Sequence, residues 1–271
     1  MKNTTPSIRP AALLVLSILL GATAASADDG VIEINQACAV NTGCSATDSP
    51  GFPVTLGTGG AYRLTSDLTV ADVNTSGVSG SRFDLDLNGF AISGPVNCSG
   101  LPATCDASGS GVGVDGFNTV TVRNGTVRGF GSHGVRVGAY SEIVRMRIIG
   151  NADSGVDGGW GSAALRLLDS LITSNGGNGV KIDSPGARGM LLRNNTIEGN
   201  QLAGIRGTGG AFVDNVVSGS GGGGMNAAFG GQFTRFSGNT FLDNNGGNAN
   251  PQVLGGIDSG GNLCGSPNTC P

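Results

Sequence analysis

Apolar and polar positions recur along this chain in one short pattern. An apolar residue is followed seven positions later by Gly at Val127–Gly134, Ile148–Gly155, Ile172–Gly179, Ile197–Gly204 and Val217–Gly224. Phe241–Asn248 keeps the spacing, with Asn in place of Gly. Successive copies start 21, 24, 25, 20 and 24 residues apart. The core length is therefore constant and insertions fall between cores, as in coils joined by variable loops. After the Gly comes an alternating run: Val135-Arg136-Val137, Val156-Asp157, Val180-Lys181-Ile182 and Ile205-Arg206. Before the core comes a second: Val120-Thr121-Val122, Leu165-Arg166-Leu167 and Met190-Leu191-Leu192-Arg193. Alternation with a period of two predicts strands with one buried face. Such short strands bury little alone, so stacking of copies has to supply the core.

The corner residues agree. Phe130, Asn151, Asn175, Asn200, Ser220 and Asn244 stand three positions after each core residue. Asn tolerates left-handed turns, and stacked Asn side chains can hydrogen-bond from coil to coil. Gly at the later corner is expected to supply positive φ. Rival periods fit worse. Leucine-rich repeats need a regular Leu framework, a calcium β-roll needs Gly-Gly-x-Gly-x-Asp units, and a left-handed β-helix needs a hexapeptide period.

The motifs Arg123-Asn124-Gly125-Thr126-Val127 and Arg193-Asn194-Asn195-Thr196-Ile197-Glu198-Gly199-Asn200, with the Gly-Val strands, resemble the right-handed parallel β-helix repeat of the pectate-lyase-like superfamily. Leu85-Asp86-Leu87-Asn88-Gly89-Phe90-Ala91-Ile92 looks like the early coil of exported bacterial proteins with this fold. The resemblance covers roughly residues 50–265 and is specific for fold rather than activity. It implies an all-β, single-stranded right-handed parallel β-helix, a solenoid with disulfide-tied ends. About nine coils, at ~4.8 Å each, predict a rod of roughly 40–45 Å.

The domain organisation follows. Residues 1–27 read as a signal peptide. Lys2 and Arg9 precede the apolar run Ala11 to Leu20, and Ala25-Ser26-Ala27 offers a small-x-small cleavage site. The run is too short to span a bilayer, and no later stretch is longer. A secreted or periplasmic protein, cleaved near Ala27, is expected. Residues 28–60 are expected to form an N-terminal cap and 61–265 the β-helix, with a disulfide-pinned insertion at 94–110. Residues 266–271 form a C-terminal tail.

Composition narrows the class. Gly accounts for 51 of 271 residues, while charged residues are 13% and apolar residues 38%. So much Gly cannot sit in helices, and so little charge with so much apolar content does not describe a disordered chain. Six Cys in an exported chain imply disulfides. They fall as close pairs, Cys38/Cys44, Cys98/Cys105 and Cys264/Cys270. Neighbour pairing is favoured, each pair closing a short loop rich in Gly, Pro, Ser or Asn. The spacings are not those of zinc sites, so no metal is expected.

The net charge is −4, becoming −6 once Lys2 and Arg9 are removed. An acidic, exported chain without aromatics interleaved among its Arg residues argues against nucleic-acid binding. Arg123, Arg145, Arg147, Arg166 and Arg193 open or precede the second turn of successive coils. Lined up on one face, they would suit an acidic polysaccharide.

Candidate chemistry is sparse. Gly131-Ser132-His133-Gly134-Val135 resembles the Gly-His-Gly corner on the catalytic face of polygalacturonases. That family also carries an Asn-Thr-Asp and an Asp-Asp corner in earlier coils, and Gly109-Ser110-Gly111-Val112 has no carboxylate. His133 is therefore expected to be a corner residue without the paired carboxylates of glycoside hydrolysis. The post-Gly strand presents Arg136, Asp157, Lys181, Asp183 and Arg206 outward. Charges of alternating sign there predict a cross-strand ladder, and with Trp160 they form the candidate ligand-binding set. Catalytic candidates are His133, Arg136, Asp157 and Arg206. No cofactor is expected, calcium entering only for a lyase, with Asp157 and Asp183 as its ligands. The leading expectation is a polysaccharide-binding protein. The alternatives are a polysaccharide lyase or glycoside hydrolase, and a structural or adhesive surface rod. The sequence leaves the oligomeric state open.

Overall fold

The structure, a computed structural model, describes residues 30–159, 164–182, 188–207, 209–227, 234–247, 251–265 and 270. The signal-peptide segment, Trp160 and Asp183 lie outside the described residues. Strands stack in parallel to form a β-helix with three faces per coil. Face one carries strands such as Ala61–Leu64, Arg166–Leu168 and Arg235–Ser237. Face two carries Ala91–Ser93, Leu171–Thr173 and Thr196–Glu198. These two faces form one 17-stranded sheet, joined through Thr121–Arg128 and Glu142–Ile149, which run through the corner between them. Face three is a nine-stranded sheet that includes Val114–Phe117, Val135–Val137, Val156–Asp157, Val180–Ile182 and Ile205–Gly207. Among the described residues no helix is long and apolar enough to cross a membrane.

The register confirms the repeat. Val127, Ile148, Ile172, Ile197, Val217 and Phe241 pair rung to rung on face two and are fully buried. Val122, Ile143, Leu167, Leu192 and Phe212 form the matching column on face one. Val114, Val135, Val156, Val180 and Ile205 do so on face three. These columns meet in one continuous core. Strands Val31–Ile34 and Val54–Leu56 already belong to the sheets, with the short helix α1 (Gln36–Asn41) between them. Asn35 caps α1 by accepting from the Cys38 amide at 2.9 Å.

The corners differ from expectation in an instructive way. The stacked Asn ladder forms: Asn151 Nδ2 donates to Asn175 Oδ1 at 3.0 Å and Asn175 Nδ2 to Asn200 Oδ1 at 2.9 Å. The left-handed residue, however, is the one before it: Gly150, Ser174, Gly199, Gly219 and Asp243. The later Gly residues at 134, 155, 179, 204 and 224 are not left-handed either. They are required for space, because a Cβ at Gly155 would lie 2.5 Å from Ile172 Cγ2 and 2.9 Å from the Gly179 carbonyl oxygen. A second ladder runs through the corner between faces one and two. Asn195 Nδ2 donates to Asn215 Oδ1, and Asn215 Nδ2 to Asn239 Oδ1, both at 2.9 Å.

Arg123, Arg145, Arg147, Arg166 and Arg193 do not line up as a basic stripe. Arg123 pairs with Asp84 and Asp86, and Arg166 Nε lies 3.1 Å from Glu142. Arg145 donates to Asn124 at 2.8 Å. Arg147 belongs to face two, whereas Arg193 ends a face-one strand. These cations are thus scattered over two faces and interleaved with acids.

Partial burial opposes ionisation of Asp86. The Asn88 backbone amide, the Asn124 side chain and Arg123 outweigh it and hold the carboxyl below its ordinary 3.8. A depressed folded pKa contributes stability that is present above the unfolded value and is lost as pH falls through the folded one. Urea midpoints of the wild type are therefore expected to fall below about pH 4, and Asp86→Asn to flatten that fall by about 0.5 kcal/mol. Identical pH profiles would contradict this role for Asp86.

Candidate functional site

Strand alternation decides what face three shows to solvent. Val135 and Val137 point into the core, so Arg136 points out, and the same holds in each rung. The outward residues stand in register as Asp115, Arg136, Asp157, Lys181 and Arg206. They form a column along the helix axis, spaced by the rung repeat of ~4.8 Å. Of the predicted ladder, Arg136, Asp157, Lys181 and Arg206 stand in register, Asp115 precedes them, and Asp183 lies outside the described residues. Extending the Gly alignment one coil back, to Gly113, would have placed Asp115 opposite Arg136.

Asp115 and Arg136 form a two-pronged ion pair. Arg136 Nε donates to Asp115 Oδ1 at 2.8 Å, and the second nitrogen donates to Oδ2. The Asp115 hydrogen bonds raise the Arg136 pKa against the opposing effect of burial, and the charges of Asp115 and Asp157 add to the rise. Planar pairing of this kind fixes a guanidinium more firmly than a single contact.

His133 departs from its expected isolation. It is only 7% exposed, and its Nε2 lies 3.2 Å from Asp157 Oδ2. On its other side Nδ1 is 3.9 Å from Asp153 Oδ2 and is buried without a hydrogen-bond partner. Asp157 is itself only 9% exposed, although it belongs to the outward column. The coil brings these groups together because His133 immediately precedes Gly134, while Asp153 and Asp157 flank the equivalent Gly155 of the next rung. Sequence reading missed the contact by looking for carboxylates in earlier coils rather than in the following one. Ser154 helps to hold Asp153, its hydroxyl donating to Asp153 Oδ1 at 3.0 Å.

The structure therefore gathers His133, Arg136 and Asp157 with Asp115 and Asp153, and it continues the column through Lys181 and Arg206. Trp160 and Asp183 are outside the described residues, so the calcium pair Asp157/Asp183 has no described geometry. Among the described residues no group of three or more His, Cys, Asp or Glu side chains is arranged to hold a metal ion. Asp157 has cations beside it in register on both sides. What the arrangement offers is a line of donors and acceptors along the axis, ending in two adjacent cations, with one imidazole set against Asp157. The pairs Cys38–Cys44, Cys98–Cys105 and Cys264–Cys270 are all formed.

A coil of three stacked parallel faces defines the class, and comparison agrees. The family described as "Right handed beta helix region" matches residues 110–258, and the chain belongs to that family. No curated protein sequence matches the chain. Among solved structures, the A-module of the Azotobacter vinelandii mannuronan C-5 epimerase AlgE4 is 17% identical. Its TM-score is 0.49, covering 89% of this chain and 79% of that one. The periplasmic alginate epimerase AlgG is 14% identical with a TM-score of 0.46, covering 76% of this chain and 61% of that one. At such identity no residue's role carries across.

Proposed function

We propose that the outward column of face three binds linear polysaccharide along the helix axis, and that the protein is an exported sugar-binding β-helix. The observation that carries this reading is the registered column from Asp115 to Arg206, with His133 set against Asp157. A site that repeats along its length suits a ligand that does the same. Asp115 holds Arg136, and Asp157 lies against His133, so little side-chain freedom is lost at these groups when hydroxyls replace water. The mixture of signs supplies both donors and acceptors. The adjacent cations Lys181 and Arg206 allow acidic sugars as well as neutral ones. The signal-like residues 1–27 and the three disulfides support export, since disulfides persist in oxidising compartments.

Retention on a glycan array at millimolar ligand tests this reading. Arg136→Ala and Asp157→Ala are each expected to weaken the retained interaction about tenfold or more, given loss of charge-assisted hydrogen bonds. If no glycan is retained by the wild type, the structural-rod reading takes its place.

A second reading, cleavage of the bound polymer, is favoured by one observation: a buried imidazole between two carboxylates. Proton transfer would run through the pair of His133 Nε2 and Asp157 Oδ2, which lie 3.2 Å apart. New ultraviolet absorbance from unsaturated uronides, or new reducing ends, would reveal it. Absence of both with pectate and alginate, with and without added calcium, would retire cleavage of those polymers and leave binding.

A further inference from the structure

The insertion at 94–110 is a strap that crosses five successive corners between faces two and three. It leaves face two with Gly94 and Val96 donating to the carbonyls of Arg128 and Gly129, each at 2.8 Å. Its hairpin pairs Cys98 with Cys105, which form the disulfide. Ala103, fully buried, donates to the Gly199 carbonyl at 3.0 Å. The strap returns with Gly109 donating to the Gly131 carbonyl at 2.7 Å.

The glycines beneath it lie close against both the strap and the neighbouring rung. A Cβ at Gly176 would lie 2.8 Å from Cys105 Sγ, and one at Gly221 would lie 3.1 Å from Pro102 Cγ. At Gly199 it would run into Leu101. Cys105 Sγ also lies 3.7 Å from the Asn151 carbonyl oxygen. That carbonyl accepts from the Gly176 amide at 2.8 Å, and the next amide, Gly177, donates to the Asp153 carbonyl at 3.0 Å. The disulfide thus sits over the turn Asn151–Asp153, whose last residue flanks His133.

We propose that the strap is a disulfide-held clamp on this corner. With the disulfide closed, the strap ties five coils together and fixes Asp153 beside His133. Opening takes two electrons and two protons from an external dithiol. The Sγ–Sγ bond breaks, Cys98 and Cys105 become thiols, and the dithiol leaves as its own disulfide; closing is the reverse. Without the cross-link the strap regains chain freedom, and the corners beneath it open locally without global unfolding. The link to the binding face rests on the polysaccharide reading above, whereas the clamp itself does not.

Native-state hydrogen exchange on the full chain, oxidised wild type against Cys98→Ser/Cys105→Ser, tests the clamp without any ligand. Amides of Ala103, Gly176, Gly199 and Gly221 are expected to exchange at least about tenfold faster in the variant. Amides of Tyr62 and Leu85 on face one should be unchanged. Leu101→Gly, which keeps the disulfide, should speed exchange at Ala103 and Gly199 only. Equal exchange in oxidised protein and double variant would overturn the clamp. Faster exchange with undiminished glycan affinity would overturn its link to the site. Faster exchange with no glycan bound in either form would leave the clamp standing and remove the polysaccharide reading instead.

Discussion

Gly155→Val is expected to destabilise the protein by about 3 kcal/mol and to lower Tm by roughly 6–12 °C. The reason is room rather than backbone freedom. The first carbon of any side chain there would meet Ile172 Cγ2 at 2.5 Å, Asn175 Nδ2 at 2.7 Å and the Gly179 carbonyl oxygen at 2.9 Å. All three neighbours belong to the buried interior of the next rung, and stacked coils cannot separate locally without breaking their ladders. Gly89→Ala provides the contrast. Gly89 has φ near +85° and nothing within 4 Å of a Cβ, so its change costs about 1 kcal/mol of backbone strain alone. Thermal melts of the two variants should differ severalfold in their shift. Equal shifts would show that the column of glycines serves turn geometry after all.

Asn175→Ala is the second large effect, expected at about 2–4 kcal/mol. Asn175 Oδ1 accepts from both the Asn151 amide, at 3.1 Å, and Asn151 Nδ2, at 3.0 Å. Alanine leaves those two buried donors without an acceptor and removes the donation to Asn200 at 2.9 Å. Each buried unsatisfied group carries a desolvation penalty of about 1–3 kcal/mol. The ladder also contains a natural gap. Ser220 is too short to continue it, and its hydroxyl is buried without a partner. Ser220→Asn is therefore expected to raise Tm, by roughly 2–4 °C for a gain near 1 kcal/mol. Urea titrations of Asn175→Ala measure the first effect, and an unchanged midpoint would contradict a ladder in which each Asn holds the next.

Much of the fold was legible because a solenoid writes its period into the chain. Val127, Ile148, Ile172, Ile197 and Val217 announce a column, and the structure pairs them rung by rung. The Asn positions and their stacking were legible too, but the left-handed turn was read one residue out of place. Left-handed geometry belongs to the residues before them, such as Ser174, and the amides serve the ladder. The second ladder, Asn195–Asn215–Asn239, stands two positions before the same core residues. The alternation of apolar residues masked it.

The candidate site was legible in part. Alternation gave the outward direction of Arg136, Asp157, Lys181 and Arg206. It could not show that His133 bends back against the carboxylate of the following coil. Such contacts depend on how corners stack, and corner length varies from copy to copy. Asp115 was missed for a simpler reason, since the insertion at 94–110 breaks the period just before it. The basic stripe failed because charge was counted along the chain. Asp84, Asp86 and Glu142 reach the same cations across neighbouring rungs.

Amide chemical-shift mapping on the full chain, with a glycan retained by the array, asks most directly where ligand binds. If face three is the binding surface, shifts will concentrate at Arg136, Asp157, Lys181 and Arg206 and at the corner of His133 and Asp153, while Leu167 and Leu192 on face one stay still. Shifts centred on face one or face two, with the column on face three silent, would contradict it.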